Sequence, residues 1–237
     1  MTNSYSNIHS IITDIEGTTT DIAFVHDVLF PYARQQLPGY IAANANSPVV
    51  REQLKAVSAE VGRPLSDSEA IAQLQRWIDQ DQKIGPLKNL QGLIWAQGYA
   101  AGTLQGHVYD DAATQLRRWH ARGLRLHVYS SGSVKAQQLI YGHSNHGDLR
   151  PLFSGYFDTR IGHKREVGSY EVIRDALGGD ASGMLFLSDI KEELDAAKQA
   201  GMQTAWLVRD PATATHHTDQ HAGQHPIHHS FASIKLS

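Results

Sequence analysis

Near the start of the chain a short apolar run rich in β-branched residues, Ile11-Ile12-Thr13, gives way to Asp14-Ile15-Glu16-Gly17 and then to Thr18, Thr19 and Thr20. An apolar run ended by a glycine turn predicts a buried strand that opens into a loop. From about Asp21 to about Gly106 the period becomes helical. Val25, Val28, Leu29, Tyr32 and Ala33 recur at helical spacing, with Pro31 expected to break the run. Arg51 to Val61 predicts a second helix. Ser66 with Glu69 three residues later forms a capping-box signature, and the helix it starts carries Ile71, Leu74, Trp77 and Ile78 on one face. Leu87 to Gly102 predicts a fourth helix.

Beyond Gly106 strands and helices alternate. Asp110 or Asp111 is expected to cap a helix that runs through His120 and closes at Gly123. Leu124 to Tyr129 alternates as a strand and runs into Ser130-Ser131-Gly132-Ser133, followed by a helix to about Tyr141. Tyr156 to Ile161 predicts a short strand, and Tyr170 to Leu177 a helix ended by Gly178-Gly179. Gly183 to Ser188 predicts a strand ending at Asp189. A helix with Ala196, Ala197 and Ala200 on one face stops at Gly201, and Thr204 to Val208 predicts another strand. This alternation implies an α/β fold with a doubly wound parallel sheet. The helical block is too long for a connecting loop and is read as an inserted domain. The expected division is 1–21 and 107–210 for the core, 22–106 for the inserted helical domain, and 211–237 for a histidine-rich tail. That tail holds His216, His217, His221, His225, His228 and His229 and is expected to be a loosely ordered polar terminus, with Ser230 to Ile234 docking back on the core.

Composition narrows the function classes. The 237 residues are 41% hydrophobic and 19% charged, with a net charge of −3, so nucleic acid is not an expected partner. The absence of cysteine removes disulfides, thiolate metal sites and a cysteine nucleophile. No apolar run approaches the ~20 residues of a membrane span, and the N-terminal residues lack a signal-peptide core. A cytoplasmic monomer acting on a small molecule, with no membrane partner, is the expectation.

Residues i and i+2 of a strand face the same way, so Asp14 and Glu16 can converge on one site, where a bound cation would keep both charged. Polar groups also end the later strands at Ser130, Ser131 and Asp189, and Ile161-Gly162-His163-Lys164 lies between them. Four such motifs in this order resemble the haloacid dehalogenase superfamily, with a helical cap domain inserted between the first and second. The resemblance implies that Asp14 is a nucleophile forming an aspartyl-phosphate. It implies that Mg²⁺, one per subunit, is held by Asp14, Asp189 and position 16, the last through its carboxylate or its backbone carbonyl. Lys164 would set a point charge against the phosphate and the nucleophile, and Ser130 or Ser131 would donate hydrogen bonds to phosphate oxygens.

Glu16 departs from the D-x-D pattern of ordinary phosphatases in that superfamily and suggests an extra proton transfer. The longer words Asp14-Ile15-Glu16-Gly17-Thr18-Thr19, Phe24 to Ala33, Leu87 to Trp95, Tyr129 to Gln137, Phe153 to Thr159 and Gly162-His163-Lys164 resemble the enolase-phosphatase (acireductone synthase) family of methionine salvage. Those enzymes enolise 2,3-diketo-5-methylthiopentyl-1-phosphate and then remove its phosphate, giving the acireductone 1,2-dihydroxy-3-keto-5-methylthiopentene. Glu16, beside the nucleophile, is the expected proton-transfer group. Trp77, Trp95 and Tyr99 offer apolar surface for a thioether tail, or form the core of the helical block, and Lys83 or Lys88 could reach the phosphate or diketone. The competing expectations are a capped Mg²⁺-dependent phosphatase of another small phosphoester and a catalytically silent phosphate- or metal-binding protein.

Overall fold

The computed structural model describes residues 4–210 and 224–237. The chain forms two compact units, one of Met1–Ile22 with Gly106–Ser237 and one of Ala23–Gln105. Among the described residues no helix is long and apolar enough to cross a membrane.

The first unit is built on strands β1 (Ser4–Tyr5), β2 (Ser10–Thr13), β3 (Arg125–Tyr129), β4 (Phe153–Phe157), β5 (Met184–Ser188), β6 (Gln203–Leu207), β7 (Ile227–His228) and β8 (Lys235–Leu236). Six of them form one parallel sheet in the order β4-β3-β2-β5-β6-β7, while β1 pairs with β8. The chain winds outward from β2 in one direction through β3 and β4, then returns to β5 and winds the other way. The expected doubly wound sheet is thus observed, and its topological switch lies between β2 and β5, where ligands bind in such folds. All four residues of β2 and all five of β5 are buried, because helices cover both faces of an internal parallel strand. One apolar layer gathers Ile12, Tyr129, Tyr170, Phe186, Leu194 and Trp206. Elsewhere Trp119, from the helix Asp110–Ala121, meets the buried ring of Phe231 at 5.6 Å between centroids.

Several expectations need correction here. Neither Asp110 nor Asp111 caps the helix Asp110–Ala121; Tyr109 occupies the cap position and gives no side-chain bond. The strand expected over 156–161 lies instead at Phe153–Phe157 and is followed by a 3₁₀ turn, Thr159–Ile161. The helix expected from Tyr170 begins at Val167. The expectation of a loosely ordered tail does not hold for residues 224–237. His225 and His228 are buried because each has partners: Thr204 and Asp195 for His225, Tyr5 and Ser233 for His228. His229 Nδ1 meets the Val208 carbonyl, and β7 adds to the sheet edge. The docking expected of Ser230 to Ile234 is observed, with Phe231 and Ile234 buried. His216, His217 and His221 lie outside the described residues.

The second unit is helical. Ile22–Phe24 leads into a π-helical turn, Val25–Leu29, and then the helix Phe30–Ala43. Pro31 does not break this run. It directly follows the π turn, whose wider pairing carries the Phe30 amide to the Val25 carbonyl and takes in a residue without an N–H. The helices Pro48–Val61, Asp67–Asp79 and Gly85–Ala100 follow. The capping box forms as expected, with Ser66 Oγ accepting from the Glu69 amide and Glu69 accepting from the Ser66 amide. Trp77, Trp95 and Tyr99 are buried in this unit's core, with the Trp95 indole donating to the Leu29 carbonyl at 2.9 Å. Of the two expectations for these rings, the one observed is the core of the helical block. Lys83 is exposed and Lys88 half-buried.

Candidate active site

The loop after β2 is closed on itself. The Asp14 amide still donates to Leu187 O at 2.9 Å, extending the pairing of β2 with β5 by one residue. The Ile15 carbonyl then accepts the amides of Thr18, Thr19 and Thr20 at 3.2, 2.9 and 2.9 Å. Such a tight reversal needs a left-handed residue, and Gly17 supplies φ of +69°. A Cβ at Gly17 would also collide with the Asp189 carboxylate, so the missing side chain lets Asp189 lie against the loop. The threonines are wholly buried. Thr19 Oγ1 meets Tyr141 OH at 2.8 Å, and Thr20 Oγ1 donates to His107 O at 2.8 Å. Glu16 is half-buried and its backbone bridges to Thr20.

Within the first unit the sheet register brings the expected polar residues to one edge. Thr13 is level with Val128 on one side and with Leu187 on the other, so Asp14, Ser130 and Asp189 all leave the same end of the sheet. Lys164 joins them. Its Nζ lies 2.7 Å from Asp14 Oδ1 and 2.6 Å from Glu193 Oε2, with all three side chains nearly excluded from solvent. Its backbone is tied down as well, since Tyr170 OH donates to Lys164 O at 2.7 Å. Burial alone would push this lysine's pKa down. The charges of Asp14 and Glu193 outweigh it and hold the ammonium above the ordinary lysine value.

The carboxyls around it are raised as well, toward the neutral form. Burial, then the negative charge of Asp14, pushes Asp189 up to about 7, and the same two causes push Glu193 up to about 7. Asp189 does not cap the following helix, Lys191–Gln199, whose cap position is Ile190. Its Oδ1 is buried with no hydrogen-bond partner among the described residues. Among those residues no three His, Cys, Asp or Glu side chains form a ready metal cage. A small hard cation needs less than that. Mg²⁺ takes one or two carboxylates and completes its shell with waters and substrate phosphate. The unsatisfied Asp189 oxygen beside the Asp14 charge fits such an ion.

Ser130 is buried; its amide donates to Phe157 O at 3.3 Å and its Oγ accepts from the Gly132 amide at 3.2 Å. Ser131 is half-buried. The residue that sequence reasoning missed is Glu193. Its signal was available: positions 193, 196, 197 and 200 share one helical face, and the other three are alanines. A glutamate on a helix's apolar face requires a buried cation, and Lys164 is that cation. Ser188 Oγ also donates to Glu193 Oε2 at 2.9 Å.

Comparison with known proteins finds relatives over most of the chain. The haloacid dehalogenase-like hydrolases match residues 8–201 of the chain. The enolase-phosphatase E1 of Marinobacter nauticus is 58% identical over 205 residues, which is 86% of this chain and 89% of that protein. The enolase-phosphatase E1 of Pseudomonas aeruginosa is 56% identical over 228 residues, covering 96% of this chain and 98% of that protein. The crystal structure of the UTR4 protein of Saccharomyces cerevisiae matches with a TM-score of 0.77 at 32% identity, covering 96% of this chain and 100% of that one.

Proposed function

The chain belongs to the enolase-phosphatase E1 family of haloacid dehalogenase-like hydrolases, and on that basis we propose that it converts 2,3-diketo-5-methylthiopentyl-1-phosphate to the acireductone 1,2-dihydroxy-3-keto-5-methylthiopentene and phosphate. It does so in the cytoplasm as a monomer with one Mg²⁺ per subunit. Asp14, Asp189 and position 16 would hold the ion, which would supply charge neutralisation at the phosphate and polarise the substrate's oxygens.

The chain's own groups carry out the proton and phosphoryl chemistry. Glu16 takes the proton from the carbon next to a carbonyl, leaving the enolate, whose oxygen takes a proton from solvent to give the enol. Asp14 then attacks phosphorus. Its Oδ1 is held by the Ile15 amide at 2.8 Å and by Lys164, which leaves Oδ2 for the attack. As the Asp14–phosphorus bond forms, the bond from phosphorus to the substrate oxygen breaks, and that oxygen receives a proton from Glu16. Water then cleaves the aspartyl-phosphate, giving inorganic phosphate and the free carboxylate. Lys164 offsets charge on the phosphoryl oxygens, and Ser130 or Ser131 donates hydrogen bonds to them.

The observation that supports this reading most is the buried Lys164 ammonium, shared between Asp14 and Glu193 at the switch point of the sheet. A Glu16→Gln variant tests the assignment of the proton. It should stop formation of the enol chromophore while Mg²⁺ binding stays measurable by calorimetry. An enol forming at the wild-type rate would show that Glu16 is not the base.

A further inference from the structure

Asp14 and the loop that follows it are held by different parts of the molecule. Asp14 is fixed by the strand pairing to Leu187 and by Lys164. The loop beyond it, besides its own turn bonds and the Thr19 and Thr20 hydroxyls, is held by Arg209, which lies after the last residue of β6. Arg209 Nε and Nη2 both donate to the Thr18 carbonyl, at 3.0 and 2.6 Å. Its remaining nitrogen, Nη1, lies 2.9 and 2.7 Å from the two oxygens of Asp111. The guanidinium is stacked between two rings, 4.2 Å from the centre of Tyr109 and 5.1 Å from that of Phe231. Asp111 Oδ2 is in turn held by Ser230 Oγ and by the Phe231 amide, each at 2.7 Å. All three guanidinium nitrogens are therefore committed, and the docked C-terminal turn fixes the acid that orients them.

Thr18 immediately follows Glu16 and Gly17. A guanidinium offers donors in a rigid plane, so it can fix the direction of one carbonyl while gripped from behind. Neither Arg209 nor Asp111 has a role in the reaction described above. We propose that Arg209, clamped by Asp111 and the C-terminal turn Ser230–Phe231, is a positioning residue that sets the loop carrying Glu16, and so governs proton transfer more than phosphoryl transfer. This rests on the assignment of Glu16 as the proton-transfer group. It explains why the terminal segment returns to this region of the fold when the sheet needs no more than a covered edge.

The test compares two phosphoesters by kcat/KM, which reports steps up to the first phosphoryl transfer. The diketo phosphate needs a proton moved to and from carbon and oxygen. p-Nitrophenyl phosphate releases a phenolate that departs without protonation. A displaced catalytic group costs about 10- to 100-fold, so Arg209→Ala should lower enol formation by that factor and p-nitrophenyl phosphate turnover several-fold less. Asp111→Asn, which keeps the shape of the acid and removes its charge, should shift the same ratio in the same direction if Arg209→Ala folds poorly. Equal loss on both substrates, with KM unchanged and apparent kcat falling in step with the folded fraction, would assign Arg209 to stability alone and overturn the inference. Glu16→Gln, measured beside them, separates the two readings. If it leaves the ratio unchanged, the assignment of Glu16 fails and the inference with it. If it shifts the ratio and neither Arg209→Ala nor Asp111→Asn does, the inference alone fails.

Discussion

Lys164 shows how a single side chain can organise a site. Its ammonium is buried between two carboxylates, and removing it would strand both charges in a place where neither can be solvated. Lys164→Met should therefore act on chemistry and on stability together. Loss of one preorganised electrostatic contact to a transition state costs about 10²- to 10³-fold in turnover, and phosphate release at saturating substrate should fall by about that much. A fall of less than about tenfold would mean that the ammonium does not face the phosphate. Asp14, Asp189 and Lys164 were legible in the sequence because each follows a strand or lies in a loop at the expected point. Glu193 was not, because an acid within a helix looks solvated until its neighbours on the same face are seen to be alanines. Glu16 was legible as a departure from an aspartate, and Arg209 gave no signal at all, since one arginine after a strand is ordinary.

At the scale of elements, the strand at Arg125–Tyr129 shows where alternation misleads. Leu124, Leu126 and Val128 alternate with Arg125, His127 and Tyr129, which suggests one wet face. The strand is internal to a sheet covered on both sides, so His127 and Tyr129 are buried too. Among the described residues neither ring nitrogen of His127 has a hydrogen-bond partner, and burial, aided by the Arg125 charge, pushes its pKa down to about 4. A histidine whose folded pKa lies below its unfolded value stabilises the fold above the unfolded pKa and loses that contribution as pH falls toward the folded one. The window here is from the ordinary 6.5 down to about 4. At about 1.4 kcal/mol for each pH unit, the loss across it approaches ~3 kcal/mol. His127→Leu should flatten the acid limb of a plot of melting temperature against pH, and parallel curves for the two proteins would contradict the burial of a neutral ring. The helix boundaries erred for a related reason. Pro31 looked like a stop, but the π turn before it, Val25–Leu29, lets the helical run continue through it.

For the whole molecule, the doubly wound parallel sheet followed from the spacing of strands and helices and the docking of Ser230 to Ile234 was expected, whereas the burial of the tail's histidines was not. Histidine-rich sequence suggested solvent, yet His225 and His228 are held by partners far away along the chain, at Thr204, Asp195 and Tyr5. Composition cannot reveal long-range pairing of that kind. Phe231 is the apolar anchor of the return, fully buried beside Trp119. Truncating a buried phenylalanine costs about 3–5 kcal/mol, so Phe231→Ala should lower the stability of the first unit by that order in urea unfolding. A change under ~1 kcal/mol would mean that the terminus is not docked in solution. The central claim, that one site holds both a proton-transfer acid and a phosphoryl-accepting acid, is addressed by a single time course. Wild-type protein is mixed with the diketo phosphate and Mg²⁺ while enol absorbance and inorganic phosphate are followed together. An enol signal that rises before phosphate is the expected result; phosphate released with no preceding enol would contradict the assignment of both activities to this site.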